Sequence, residues 1–339
     1  MAIKSYLQWA AVLAASAQLG AAQTYTSCNP LKKTCPADTG LDQYRLNTDF
    51  TTGSSAFNHW NTTGGTVEST SLGAKFTIAE EGDAPTIESD FYIFFGYVEI
   101  KMRAANGTGI ISTAVMESDD LDEIDWVCSS IETDYFGKGN TTSYDRDTTV
   151  SVSSPEETFH TYAVDWTSSK IEWLLDGKVV RTLDYAAAVD GTNFPQTPMR
   201  IKIGIWAGGD PNNAKGTIEW AGGETDYTNG PFTMYVESVN IINYNPAQSY
   251  KYTDKTGSYT SIKTSNGTTS TNLIASSSSS NSTARSSALA SAKVSSSAAA
   301  ASASASASSS SATSTSAAAY FSPLLGIVLA AFLAGMVHV

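Results

Sequence analysis

Apolar and polar side chains alternate along much of the chain with the period of two that a half-buried β-strand requires. The run Phe91–Met102 is rich in aromatic and β-branched residues, and its second half alternates strictly. The same kind of pattern predicts further strands at Phe159–Trp166, Ile171–Leu175, Lys178–Leu183, Met199–Trp206 and Phe232–Ile242. Between the second and third of these, Asp176-Gly177 predicts a tight hairpin turn.

A sustained helical period is not found, apart from a short piece near Asp184–Val189. Many strands separated by turn signals, in a folded region of about 220 residues, are typical of two packed sheets. The chain is therefore predicted to be all-β, a two-sheet sandwich. Trp166 and Trp173 fall on predicted strands and are interpreted as core residues.

The two ends of the chain differ from this pattern. Residues 1–22 combine Lys4, a short apolar stretch and small residues before Gln23, which predicts a secretory signal peptide. The folded domain is then expected over residues 23–263, and a Ser/Ala/Thr-rich stalk, disordered and O-glycosylated, over 264–319. Residues 320–339 are apolar with no Lys or Arg after them, which favours a removed GPI-attachment tail over a membrane span.

The sequons fit passage through the secretory pathway, and the charge bears on the partner. Five sequons for N-glycosylation occur, at Asn61, Asn106, Asn140, Asn266 and Asn281. All 33 Asp and Glu lie between residues 38 and 254, and the 17 Lys and Arg of residues 23–270 leave that region with 17 − 33 = −16 charges. Such a charge would repel nucleic acid, whereas a neutral polysaccharide is compatible with it. We expect a secreted protein held at the cell membrane by a GPI lipid, in the cell wall, or both.

The cysteines indicate an oxidising compartment. Cys28 and Cys35 enclose a Pro-containing loop and are interpreted as a local disulfide, which leaves Cys128 unpaired. The His residues are scattered, so neither a metal site nor another cofactor is predicted.

The stretch Ser118–Trp126 carries the candidate chemistry. Glu123 and Asp125 are two residues apart, so on a strand both carboxyls share one face while large apolar residues point to the other. Two neighbouring acids repel each other, which a purely structural strand would avoid. The acids before them, Asp119, Asp120 and Asp122, are interpreted as a solvated acidic edge.

The run MESDDLDEIDW resembles glycoside hydrolase family 16, whose signature is E-[IL]-D-x-E, and the likeness is closer to fungal Crh cell-wall transglycosylases. It extends over CNPLKKTCP, GDAPTIESDFYIFFG, DYFGKGNTTSYDR, FPQTPMRIKIGIWAGGD, KGTIEWAGG and the Ser-rich tail. The resemblance implies a β-jelly-roll sandwich of the concanavalin A-like type with a sugar groove. It also implies a retaining reaction that cleaves chitin and passes the chain to β-glucan or chitin, cross-linking the wall.

The resemblance also implies roles for single residues. Glu123 would be the nucleophile, and Asp125 would hold its geometry and tune its protonation. Lys202, Trp206 and Thr217 would lie in the chitin-binding groove, with Gly204 leaving room for a sugar ring. Any single Trp in a sandwich is also explained by core packing, and Tyr135 and Phe136 are weaker groove candidates.

The sequence departs from the family pattern at the acid/base, four residues after the first Glu, where it has Val127. Without an acid, no group protonates the leaving oxygen or activates the acceptor. The segment Val127–Ile131 is also shorter than the family pattern, and Glu132 would fall on the opposite face if the strand ran straight, so it is not assigned the role.

Three interpretations remain: an inactive protein that still binds glycan, an error in the assembled coding sequence, and an active enzyme with a relocated acid. We favour the second, because substitution, shortening and the unpaired Cys128 coincide in one window. A cDNA that reads Val-Cys-Ser-Ser at this point would contradict it.

Overall fold

A computed structural model describes residues 26–128 and 131–265. The predicted signal peptide (1–22), the tail (320–339), the stalk beyond residue 265, and the sequons at Asn266 and Asn281 lie outside these residues.

In chain order the strands are β1 (Asp38–Thr39), β2 (Arg45–Asp49), β3 (Trp60–Gly64), β4 (Val67–Thr70), β5 (Gly73–Ile78), β6 (Thr86–Ser89), β7 (Gly96–Arg103), β8 (Ile110–Ser118), β9 (Glu123–Val127), β10 (Glu132–Phe136), β11 (Thr148–Thr149), β12 (His160–Trp166), β13 (Lys170–Leu175), β14 (Lys178–Asp184), β15 (Met199–Ala207), β16 (Phe232–Asn243), β17 (Ser249–Tyr252) and β18 (Ile262–Ser265). An α-helix, α1, spans Lys215–Trp220. Short 3-10 helices lie at Phe50–Thr52, Ser54–His59, Tyr185–Ala187, Tyr227–Asn229 and Tyr259–Ser261.

Over the described ranges the strands form two large antiparallel sheets and a small one. The first large sheet has the order β11-β10-β9-β8-β15-β6-β3, and the second has the order β14-β13-β12-β7-β16-β5-β4, with β2 also pairing to β16. The small sheet is β1-β17-β18. The predicted all-β jelly-roll sandwich is therefore confirmed. β9, with the candidate carboxylates, lies between β8 and β10 in the first sheet.

The core lies between the two large sheets. Along β7 every second residue is buried, as the alternation predicted, and Val98, Ile100 and Met102 join the core cluster. Trp166 and Trp173 are fully buried in it, which confirms their interpretation as core residues. From β9, Ile124 and Trp126 enter the same core, so the carboxyls of that strand lie on its other face.

Two reciprocal hydrogen bonds join β9 to the second sheet. The indole Nε1 of Trp126 donates to the carbonyl oxygen of Ala163 on β12 at 3.0 Å. The indole Nε1 of Trp173, on β13, donates to the carbonyl oxygen of Asp125 at 3.0 Å. Both indoles are buried, where an N–H without an acceptor would lower the stability of the fold. These bonds therefore fix the position of β9 relative to the second sheet.

Most predicted strands are present with small changes at their ends. The hairpin turn is confirmed, with Asp176 and Gly177 at φ values of 48° and 74°. The predicted strand Phe91–Met102 begins only at Gly96, because Phe95 has a φ of 56° and breaks the extended run. Near Asp184–Val189 the helical piece is one 3-10 turn, and the short helix α1 was missed.

The disulfide Cys28–Cys35 is confirmed, and Cys128 has a free, buried thiol. In the part of the chain that the structure describes, no helix has the length and apolar character needed to cross a membrane.

Candidate active site

One face of β9 and of the strands beside it gathers the candidate chemistry; we call it the carboxylate face. Residues that pair directly across antiparallel strands project on the same side. Glu123 pairs with Glu117 on β8 and Phe136 on β10. Asp125 pairs with Val115 and Asp134 of the same two strands. The structure therefore brings Glu123 and Asp125 together, as the spacing predicted, and adds Glu117 and Asp134.

The acids of this face are buried beside one another. Burial, and next the charge of Glu117, raises the pKa of Glu123 to about 8. Burial and the charges of Glu123 and Asp134 raise the pKa of Asp125 well above its usual range. The two carboxyls therefore share a setting that disfavours their charged forms.

Lys202 supplies the positive charge of the carboxylate face. Its Nζ pairs with a carboxylate oxygen of Glu117 and lies 3.6 Å from Oε2 of Glu88. Burial alone would lower the pKa of Lys202, but the two glutamates outweigh it and raise the value. Arg200 also pairs with Glu88. The ammonium predicted to contact sugar is thus engaged with protein carboxylates, and it holds Glu117 beside Glu123.

We expect Lys202→Met to lower the free energy of unfolding by about 2 kcal/mol or more, because Glu117 would remain buried without its counter-charge. Denaturant unfolding at pH 7 measures the loss. The matched control is Lys263→Met at an exposed strand position, which should stay within about 0.5 kcal/mol of the wild type. Equal effects of the two substitutions would contradict a structural ion pair at Lys202.

An apolar cluster lies beside the carboxyls. Its buried members are Ile111, Val127, Trp206 and Ala221, and Trp220 of α1 packs against them. The rings of Trp206 and Trp220 stack with centroids 6.3 Å apart. Trp206 is only 4% exposed, so Trp220, which sequence reasoning did not single out, is the ring of the pair more open to solvent.

Two other groove predictions are placed differently. Thr217 is buried in α1, and Trp220 of that helix has the contacts with the cluster. At Gly204 an added Cβ would lie 2.5 Å from the Thr86 hydroxyl. That glycine therefore leaves room for the Thr86 side chain, and its role towards a sugar ring stays a prediction.

Glu132 lies on the carboxylate face, contrary to expectation. The chain reverses after Val127, and the antiparallel strand β10 begins with Glu132 directly opposite Val127. The straight-strand argument failed because a hairpin, and not residue spacing, sets the face of β10. The indole Nε1 of Trp220 donates to Oε2 of Glu132 at 2.9 Å. The buried Ile131 that precedes it has a φ of 47°, a strained value for a β-branched residue, which marks a tight reversal.

The aromatic candidates of β10 divide between the two faces. Phe136 lies on the carboxylate face, with the Arg146 guanidinium 4.7 Å from its ring. Tyr135 pairs with Ile124 and packs in the core, so it is not a groove residue.

The acids before β9 are not a solvated edge. Asp120 and Asp122 are fully buried. Asp120 accepts from the hydroxyls of Ser118 and Thr197, and Asp122 accepts from the backbone N–H of Gln196 at 2.7 Å. These bonds hold the loop that enters β9, which a local acidic run could not reveal because the donors are distant in sequence.

The described sequons differ in position. Asn106 is exposed in a loop, and Asn140 donates from Nδ2 to Asn193 at 2.9 Å. Asn61 is exposed on the edge strand β3 and pairs with Glu88, in line with Lys202.

Across residues 26–128 and 131–265, no group of three or more His, Cys, Asp or Glu could hold a metal ion.

Buried carboxyls predict greater stability in mild acid. Burial raises the pKa of Asp38 to about 8, and of Asp120 and Asp134 to about 7. The folded state then keeps protons that the unfolded chain has already released, so the free energy of unfolding falls as the pH rises from about 4 towards 8. We expect Tm to be several degrees lower at pH 8 than at pH 5. Thermal unfolding across this range tests it, and Asp134→Asn should flatten the profile.

Comparisons with known proteins agree with this geometry. Residues 54–222 match the family described as glycosyl hydrolases family 16. The chain is 62% identical over 270 residues to Crh-like protein 1 of Aspergillus fumigatus, an alignment of 78% of this chain and 73% of that protein. It is 54% identical over 253 residues to Crh-like protein 2 of Botryotinia fuckeliana, covering 73% of this chain and 56% of that one. Among solved structures, it is similar to a Crh5 transglycosylase in complex with NAG, with a TM-score of 0.68, 57% identity, and coverage of 70% of this chain and 99% of that one.

Proposed function

The chain belongs to glycosyl hydrolases family 16, among its Crh-like proteins, and on that premise we propose that it is a cell-wall transglycosylase. In this proposal it cleaves a β-1,4-linked chitin chain and transfers the glycosyl unit to β-glucan or chitin with retention. The observation that carries it is the pair of Glu123 and Asp125 on one buried face of β9, beside Glu117 and Asp134 of the neighbouring strands.

Each residue of the pair has a physical role. In its ionised form, Glu123 attacks the anomeric carbon and forms the glycosyl-enzyme intermediate. Asp125 lies beside that carboxyl on the same strand face, and its backbone carbonyl oxygen accepts from the Trp173 indole. Lys202 places Glu117 at the side of Glu123 and limits the negative charge there. The solved relative in complex with NAG, the sugar unit of chitin, supports chitin as the donor.

Stacking rings support a polysaccharide substrate. The partly exposed Trp220 lies beside the carboxylate face, where an indole can stack on a pyranose. Apolar rings near the acceptor would also exclude water, which favours transfer over hydrolysis.

A second candidate is a glycan-binding wall protein without catalysis. It is favoured by one observation, the packing of Val127 into the apolar cluster where a retaining enzyme needs a carboxyl. The interpretation of this segment as an error in the coding sequence stays a prediction, and a transcript sequenced across codon 127 tests it.

One assay separates the two candidates. The full chain, expressed in a yeast host and purified, is incubated with a chitin oligosaccharide and a fluorescent β-glucan oligosaccharide. Growth of labelled polymer is the expected result for the transglycosylase. Retention on chitin with no labelled product would overturn it in favour of the binding protein.

The proposal includes location at the cell surface, through cleavage of residues 1–22 and lipid attachment after removal of 320–339. Treatment of intact cells with a phosphatidylinositol-specific phospholipase should release the protein into the medium. Release by alkaline extraction alone, with no effect of the lipase, would contradict the lipid anchor.

A further inference from the structure

A retaining reaction needs a second carboxyl beside the nucleophile, about 5–5.5 Å from it across the sugar. On β9 the residue next in line after Glu123 and Asp125 is Val127, whose side chain carries no proton to transfer. A carboxyl that replaces it must therefore reach the same place from a neighbouring strand. β8 and β10 are the strands beside β9.

The two neighbours of Val127 differ in chemistry. On β8 the paired residue is Thr113, whose hydroxyl donates to the carbonyl oxygen of Gly204 at 3.2 Å. On β10 the paired residue is Glu132. Directly paired Cα atoms of antiparallel strands lie about 4.5–5.5 Å apart, a gap that a Glu side chain can span. Glu132 is thus one strand to the side of the place where the acid is needed.

The Trp220 indole holds the Glu132 carboxyl beside Val127. Its indole Nε1 donates to Oε2 of Glu132 at 2.9 Å. The same indole packs against the cluster that contains Val127 and Trp206. An indole N–H can only donate, so it binds Oε2 as an acceptor, and Oε1 is the oxygen that this bond does not hold. Glu132 is 9% exposed, a buried acid with one oxygen oriented by a fixed donor.

We propose that Glu132 is the general acid and base of this chain, acting from β10 in place of the residue that β9 lacks. The inference rests on the proposed transglycosylase function and assigns a step of that reaction.

Both half-reactions balance with this assignment. In the first, Glu132 Oε1 gives its proton to the glycosidic oxygen as the C1–O bond breaks, and a carboxylate oxygen of Glu123 bonds to C1. The donor fragment leaves as an alcohol, and Glu132 becomes a carboxylate. In the second, Glu132 takes the proton of the acceptor hydroxyl while the acceptor oxygen bonds to C1. The Glu123 ester bond then breaks, and both carboxyls return to their starting states.

The test compares donors that do and do not need an acid. In Glu132→Gln, we expect transfer from a chitin oligosaccharide to fall about 100-fold or more. A dinitrophenyl chitobioside has a leaving group that departs unprotonated, so its release should be nearly unchanged in the first turnover. The glycosyl-Glu123 ester should then accumulate and be visible by mass spectrometry. Azide attacks C1 without base assistance, and it should restore turnover by forming the glycosyl azide.

Controls separate this role from a structural one. Glu156→Gln, at an exposed loop position, should match the wild type on both donors. Trp220→Phe removes the N–H that orients Glu132, so it should lower transfer from chitin much more than release of dinitrophenol. This second variant keeps the proposal testable if Glu132→Gln fails to fold.

Three results would count against the assignment or its premise in distinguishable ways. Full activity of Glu132→Gln on chitin overturns the role of Glu132. So does a wild type that releases dinitrophenol but transfers no chitin until Val127→Glu is introduced, and that result would leave the proposed function standing. A wild type that acts on neither donor, with or without azide, overturns the proposed function itself.

Discussion

Replacing Glu123 with glutamine is expected to abolish transfer, by about 10⁴-fold or more, while the protein stays folded and becomes more stable at neutral pH. The activity falls because an amide cannot form the glycosyl ester. Stability rises because Glu123 is buried close to Glu117, Asp125 and Asp134, and burial and repulsion raise its pKa to about 8. The assay with chitin oligosaccharide and labelled glucan measures the first effect, and thermal unfolding at pH 7.5 measures the second.

The two effects together identify a functional residue. A site that holds a costly buried carboxyl loses stability for the sake of its chemistry, so its removal should trade activity for stability. The matched control is Glu237→Gln on β16 of the second sheet, whose carboxylate pairs at 2.8 Å with Lys101 on β7 of the same sheet. It should leave transfer unchanged and give no gain in Tm. A Glu123→Gln variant that is both inactive and less stable than the wild type would indicate a structural role instead.

Local patterns were enough to predict six of the described strands, β7 and β12 to β16, and one face of the site. The period of two in β7 and in the first half of β15 follows from burial of one face. The Asp-Gly turn follows from the backbone angles that these residues accept. Glu123 and Asp125 share a face for the same local reason. These features depend on neighbours in sequence, so a single chain contains the information.

Pairing between strands was not available from local patterns. Glu132 was assigned to the wrong face because the reversal between β9 and β10 restarts the alternation. The Glu117 carboxyl came beside Glu123 only through the register of β8 with β9. In the same way, Asp120 and Asp122 were predicted to be solvated, because their hydrogen-bond donors come from residues 196–197, which are distant in sequence. Each error concerns a partner distant in sequence or across a turn.

Short elements were the other source of error. α1 has six residues, too few to display a helical period, and it was missed although it supplies Trp220 to the site. Phe95 breaks an otherwise strand-like run because its φ is positive, which composition does not signal. Such features depend on how tertiary contacts select a backbone conformation.

The reciprocal indole bonds make the position of β9 depend on both sheets. Trp173 belongs to the second sheet, yet its indole Nε1 donates to the backbone carbonyl oxygen of Asp125, two residues after Glu123 on β9. The Arg181 guanidinium lies 4.6 Å from the centroid of the Trp173 ring and packs it further. A substitution at Trp173 should therefore alter catalysis without touching substrate.

We expect Trp173→Ala to lower the free energy of unfolding by about 3–5 kcal/mol, because it leaves a cavity in the core. Trp173→Phe keeps most of the packing and loses the hydrogen bond to Asp125, a cost of about 1 kcal/mol. Denaturant unfolding gives both values. For the Phe variant we also expect kcat to fall about 10-fold at a temperature well below Tm, since small misplacements of reacting groups are costly.

The matched control for this prediction is Trp166→Phe. The Trp166 indole is also fully buried, and its Nε1 donates to the carbonyl oxygen of Pro195 at 2.8 Å, away from β9. Its replacement should cost a similar free energy of unfolding and leave kcat unchanged. If both Phe variants lower kcat equally, the effect belongs to general loosening of the sandwich. If only Trp173→Phe does, the indole bond to Asp125 is what positions the catalytic strand.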